Sequence, residues 1–288
     1  MNTSYREIFW HSEDGLRLYS RLYESARNGD NPRTVLCLHG LTRNSRDFEV
    51  LAPHLSSRYR VIAPDLRGRG LSDRDPNFQN YTPGTYVDDV LTLLGVTDTM
   101  RVAIIGTSLG GMLGMRLAYG NPERIIALVL NDIGPEIDPR GLERIKSYAG
   151  TLPNTRTWTE AIATSKQVYG DAWRGVADDK WLMLAHRGYR ENAAGVIQID
   201  ADPMIGEVLR NAPAQGDLWR AWHSLAGIPT LAIRGAHSDI LSEATLARMQ
   251  REKPDLEQLT VAQRGHSPLL DEPPCVNAID AFLQRAFA

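Results

Sequence analysis

Cysteine is almost missing from the chain: Cys37 and Cys275 are the two in 288 residues. Two thiols cannot build a disulfide framework, and no paired spacing around them suggests a zinc site, so reduced thiols and a cytoplasmic location are expected. Long apolar runs are also lacking. None approaches the ~18 residues needed to span a bilayer. Residues 1–10 carry Arg6 and Glu7 where a signal peptide needs a basic start and then an apolar stretch. Neither membrane association nor export is therefore expected. An excess of one charge is missing too: 32 Lys and Arg stand against 35 Asp and Glu, for a net charge of -3. They are interspersed, without the basic stripe that phosphate neutralisation requires, so nucleic acid is not an expected partner.

What is present is ordinary globular material, 42% hydrophobic and 23% charged. The length suffices for one large domain with an insertion or for two modest domains. A homodimer is compatible with these numbers. No internal repeat or low-complexity tract interrupts the sequence.

The first half alternates short β-rich runs with helical patterns, the signature of βαβ units and a mostly parallel sheet. Residues 16–23 alternate in polarity, as a partly exposed strand does. Residues 34–38, 60–63, 102–105 and 125–130 are near-continuous apolar runs, as expected for strands covered on both faces. Between them, 48–55, 86–94 and 109–119 carry apolar residues at helical spacing. The rhythm changes after Asn131: residues 134–226 turn helical and amphipathic, and read as an inserted helical cap. Strand signals return at 229–234 and 256–262, separated by a helical run at 243–251, and a helix over 274–286 closes the chain.

Gly106, Ser108 and Gly110 form G-x-S-x-G between an expected strand and an expected helix. A nucleophile on so tight a turn needs small neighbours that let the backbone pass closely while the serine takes a strained conformation. The helix that follows directs free N–H groups and its positive dipole end at the same place. A glycine-rich turn with an incidental serine is the competing reading. A serine hydroxyl needs a base, and His266 is the candidate, in a loop between the last expected strand and the closing helix. His11, His54, His186 and His223 are read as structural or solvated. The base needs a carboxylate. Asp239, in the loop after the preceding strand, is favoured, while Asp132, at the end of an earlier strand, preserves the same Ser, Asp, His order and is the alternative acid; its plainer reading is a turn former. Leu41, after His39 and Gly40, and Leu109, after Ser108, are expected to supply the two N–H donors of an oxyanion hole. His39 is read as a prop for that loop. Arg43 is a candidate for an acidic substrate group, though an exposed loop arginine is the plainer reading. Trp158 and Trp181, with Trp173 and Tyr169, either line an apolar pocket or form the core of the cap.

Taken together, the elbow, His39-Gly40, the Asp65–Ser72 loop, the segment from Arg234 to Asp239 and Gly265-His266 resemble the α/β-hydrolase superfamily, in its capped serine-hydrolase branch. The resemblance covers nearly the whole chain. It implies a mostly parallel eight-stranded sheet with helices on both faces, residues 1–133 and 227–288 as the core, and a helical cap at 134–226 inserted after the sixth strand. Dehalogenases and epoxide hydrolases of that family place Asp at the elbow, so Ser108 argues for acyl transfer. Carbon–carbon hydrolases usually carry an aromatic after the catalytic histidine, where this chain has Ser267. Arg67 and Arg69 are read as structural. The expectation is a serine hydrolase acting on a small, fairly apolar ester or lactone through an acyl-enzyme, without cofactor or metal. Carbon–carbon hydrolysis or perhydrolysis on the same triad, or a non-catalytic receptor for a small ligand, are the alternatives.

Overall fold

The computed structural model describes residues 5–26, 32–212 and 218–288. Residues 1–4 of the N-terminal stretch and 213–217 of the expected cap therefore lie outside the described residues. The strands among the described residues are β1 (Arg6–His11), β2 (Arg17–Tyr23), β3 (Thr34–Leu38), β4 (Arg60–Asp65), β5 (Val102–Thr107), β6 (Ile125–Asn131), β7 (Tyr189–Glu191), β8 (Ile197–Ile199), β9 (Thr230–Gly235) and β10 (Glu257–Val261). The α-helices are α1 (Leu51–Leu55), α2 (Pro83–Val96), α3 (Leu109–Gly120), α4 (Pro139–Tyr148), α5 (Trp158–Tyr169), α6 (Asp178–Gly188), α7 (Met204–Asn211), α8 (Trp219–His223), α9 (Glu243–Glu252) and α10 (Pro273–Ala286).

Eight strands form one sheet in the order β1-β2-β4-β3-β5-β6-β9-β10. The β1/β2 and β2/β4 pairs are antiparallel and all others parallel. Side chains alternate across a strand, and here each face has a full set of apolar residues. Leu36, Leu38, Ile62 and Ile104 pack with α2 and α3 on one face. Val35, Cys37, Val61 and Ile105 pack with α1 and α10 on the other. That double coverage is why these strands read as continuous apolar runs.

Two features were not anticipated. β1 is an edge strand with a single buried residue, Trp10, so it leaves no apolar run to read. The short β7/β8 hairpin is antiparallel and lies within the stretch expected to be purely helical. Helix α8 falls in the same stretch, yet its Trp219 and Trp222 are buried in one cluster with Leu113 and Leu117 of α3. The part of residues 134–226 nearest β9 thus packs on the sheet's own helix. The expected helix at 48–55 begins as a 3₁₀ turn, Ser45–Phe48, before α1.

Candidate active site

β5 ends at Thr107 and α3 begins at Leu109, so Ser108 makes the whole turn alone. Its φ of 52° and ψ of -113° lie where L-residues are strained. The turn is possible because its flanks are bare. A Cβ on Gly106 would overlap the backbone of Gly110 and Gly111, and one on Gly110 would overlap the Leu38 carbonyl of β3. Strand, nucleophile and helix are therefore in backbone contact.

His266 reaches this serine from the loop after β10. Its Nε2 lies 2.9 Å from Ser108 Oγ and its Nδ1 lies 2.8 Å from Asp132 Oδ2. A carboxylate can only accept, so Nδ1–H donates to Asp132 and Nε2 accepts the serine O–H. Asp132 is fully buried. Its Oδ1 accepts from the Gly235 N–H at 2.7 Å, and its Oδ2 also accepts from Ser238 Oγ at 2.6 Å.

The carboxylate paired with His266 is thus Asp132, and the expectation for Asp239 is corrected. Asp239 accepts from the Arg144 guanidinium of α4 at 2.5 and 2.8 Å. Burial pushes its carboxyl up, but the hydrogen bonds and charge of Arg144 outweigh that and hold it below the ordinary carboxylate value. Strand register explains the difference. Thr107 pairs with Asn131 across β5 and β6, so the next residues, Ser108 and Asp132, leave neighbouring strands at the same level. Asp239 leaves from β9, one strand farther away.

Three residues fix this geometry, and two of them, Ser238 and Asn131, were not singled out by sequence reasoning. Ser238 supports Asp132, as above. Asn131 Nδ2 donates to Pro268 O at 2.9 Å and to Thr107 Oγ1 at 3.0 Å, tying the His266 loop to the end of β5. Trp173 belongs to the aromatic group noted in the sequence, and its Nε1–H donates to Ser267 O at 3.0 Å. The signal for Asn131 was its place beside Asp132 at a strand end.

Leu41 and Leu109 both border Ser108. The Leu109 N–H opens α3 and has no acceptor within the helix. The Gly40 carbonyl lies 2.8 Å from His39 Nδ1 and accepts the Arg43 N–H at 3.2 Å. Since a trans peptide points its C=O and N–H in opposite directions, this anchoring turns the Leu41 N–H away from His39. His39 Nε2 accepts from the Leu66 N–H at 3.0 Å, which leaves Nδ1 as the donor. Burial lowers its pKa to about 3, so it stays neutral. Arg69 Nε donates to Leu41 O at 2.9 Å, and buried Arg67 pairs with buried Asp75 and Asp89 and with Asp14 at the surface. Both arginines hold the loops under the site.

The cleft over Ser108 and His266 is lined from below by Leu41 and Arg43, and from above by Ile145, Tyr148, Tyr169 and Trp173. Arg43 is buried, not exposed, and is ion-paired with Asp47 at 2.5 Å. Trp158 and Trp181, expected as lining residues, do not reach this cleft. Trp158 packs against the His186 ring at 3.7 Å between centroids, and Trp181 is buried with Leu184 and Trp173 inside the helical stretch. The aromatic group divides: Tyr169 and Trp173 line the cleft, whereas Trp181 is buried and Trp158 half-buried within the helical stretch. Among the described residues no cluster of three His, Cys, Asp or Glu is arranged to hold a metal ion, and no helix is long and apolar enough to cross a membrane.

Residues 33–273 match the family model described as the alpha/beta hydrolase fold. The chain belongs to the α/β-hydrolase fold family. Its α/β-hydrolase relatives include a 3-hydroxybutyrate-oligomer hydrolase of Cupriavidus necator, 31% identical and aligned over 89% of this chain and 90% of the relative. A 2-(acetamidomethylene)succinate hydrolase of Mesorhizobium japonicum is 27% identical over 91% and 93%. The crystal structure of an alpha/beta hydrolase from Novosphingobium aromaticivorans superposes with a TM-score of 0.93 at 43% identity, covering 99% of this chain and all of that one. By family and relatives, this α/β-hydrolase is a hydrolytic enzyme.

Proposed function

We propose that the chain is a serine hydrolase that cleaves a small carboxylic ester or lactone through an acyl-enzyme, with Ser108, His266 and Asp132 as its triad. One observation carries this reading: a single imidazole lies within hydrogen-bond distance of both a strained elbow serine and a buried carboxylate.

His266 takes the Ser108 proton as Oγ attacks the ester carbonyl. The oxyanion that forms is held by the N–H groups of Leu41 and Leu109. Asp132 keeps the imidazole in its reactive tautomer and stabilises the imidazolium. The tetrahedral intermediate collapses, its C–O bond breaks, and His266 gives its proton to the departing alkoxide, which leaves as the alcohol. Water then adds to the acyl-enzyme by the same route, releasing the acid and restoring the serine. Each step needs only groups of this chain and water. The α4–α6 insertion acts as a cap, with Ile145, Tyr148, Tyr169 and Trp173 over the reacting carbonyl. A relative named for oligomers of 3-hydroxybutyrate supports an ester substrate.

Turnover of 4-nitrophenyl butyrate by the native protein and its loss in Ser108→Ala is the expected result. Equal turnover by both proteins would refute the assignment, as would failure of a fluorophosphonate to label Ser108.

A further inference from the structure

A second cleft adjoins the one over Ser108. Thr42 and Tyr148 line both. Thr42 directly follows Leu41, so the second cleft begins one residue from an oxyanion donor. It runs between the sheet's loops and the insertion, with Arg74 on one side and Asn154, Gln198 and Asp202 on the other. A group bound at Ser108 and extended past Tyr148 would enter it.

Three arginines line the two clefts. Arg43 pairs with Asp47, and Arg187 pairs with Glu49 at 3.0 Å and Asp271 at 3.4 Å. Arg74 has no carboxylate within ion-pair distance among the described residues. The one acid among its lining residues, Asp202, lies outside ion-pair distance of Arg74 and is held by neutral donors: its Oδ2 accepts from Tyr81 OH at 2.8 Å and its Oδ1 from the Met204 N–H at 2.9 Å. The second cleft therefore offers one guanidinium, solvent-exposed and outside any ion pair, with the amides of Asn154 and Gln198 and the carboxylate of Asp202 also in its lining. A guanidinium suits a carboxylate, which it can hold with two parallel hydrogen bonds.

Resting on the ester-hydrolase reading, we propose that this cleft is a second subsite and that the substrate is a two-ended anion: an ester whose far end carries a free carboxylate, bound by Arg74. The names of the two curated relatives, built on hydroxybutyrate and succinate, are those of carboxylate anions.

The test pairs anionic and neutral esters of matched length. Mono-4-nitrophenyl esters of adipic to suberic acid, against the corresponding alkanoates, put the charge on the acyl arm. 5-Acetoxypentanoate against pentyl acetate puts it on the alcohol arm. In at least one pair the native enzyme should favour the anion. Arg74→Ala should lose about fivefold in kcat/KM for that anion, mostly through KM, with Arg74→Lys recovering part of it. The neutral partner should be unchanged, and added salt should raise KM for the anion alone. An equal change for charged and neutral esters, or none for either, overturns the proposal.

Neutral 4-nitrophenyl butyrate with Ser108→Ala reports on the hydrolase reading separately. Should that reading fail, calorimetric binding of monomethyl adipate to the native protein and to Arg74→Ala still decides the subsite. Weaker binding by the variant supports it, and equal binding removes it.

Discussion

Ser108 and Asp132 leave adjacent strands at the same level, because Thr107 and Asn131 are register partners in β5 and β6. His266 bridges them, while Asp239 turns to Arg144. Replacing each acid by its amide separates the two roles. Asp132→Asn removes the acceptor that fixes the imidazole tautomer and should lower kcat by about 10⁴-fold. Asp239→Asn should keep kcat within a few-fold. Steady-state kinetics on 4-nitrophenyl butyrate reads both, and a reversed ranking would restore Asp239 as the acid.

His39 orients the Gly40–Leu41 peptide without touching substrate. His39→Leu frees the Gly40 carbonyl and lets the Leu41 N–H swing away. Loss of one oxyanion donor costs about 2.7 to 4 kcal/mol of transition-state stabilisation. The expected signature is a kcat lower by roughly 10²- to 10³-fold with KM little changed. A pure stability effect would instead leave kcat per folded molecule intact, which active-site titration with a fluorophosphonate distinguishes.

Gly110 lies against the Leu38 carbonyl, so even one methyl must displace backbone. Gly110→Ala is expected to destabilise by about 3 kcal/mol or more, at the upper end of overpacking costs. Urea denaturation would show the midpoint falling. An unchanged midpoint would mean that strand and helix are not in the contact described.

The Arg67 cluster gives the acid limb of stability a definite shape. Hydrogen bonds from Arg67 and Ser12 lower the Asp14 carboxyl to about 2, against about 3.9 unfolded. A depressed folded value means stability that is complete above the unfolded pKa and is lost as pH falls from about 4 through about 2. Asp14 is partly solvated, so its pair should be worth about 1 kcal/mol or less and should weaken with salt. Asp14→Asn should flatten the pH dependence in that window, read by thermal melts between pH 2 and 7.

Strands covered on both faces were legible as apolar runs, and the elbow was legible because strand, Gly-x-Ser-x-Gly and helix stand in sequence. Edge strand β1 was not, since one buried residue in six leaves no pattern. The acid was ambiguous for a different reason. Two aspartates at successive strand ends satisfy the same chain order, and register, which decides between them, is not written in composition or spacing. Nor did sequence distinguish Trp173 from Trp181. Both are large aromatic residues of the same helical stretch, and which one faces a cleft follows from how α5 and α6 pack.

The hydrophobic cluster above the sheet joins Ile145 of α4, Ile205 of α7 and Trp222 of α8 to Leu36, Ile104 and Leu113. The roof and the floor of the cleft therefore share one interior. Such an arrangement melts as a single cooperative unit, with one calorimetric transition, so heat should abolish ligand binding and the sheet at the same temperature.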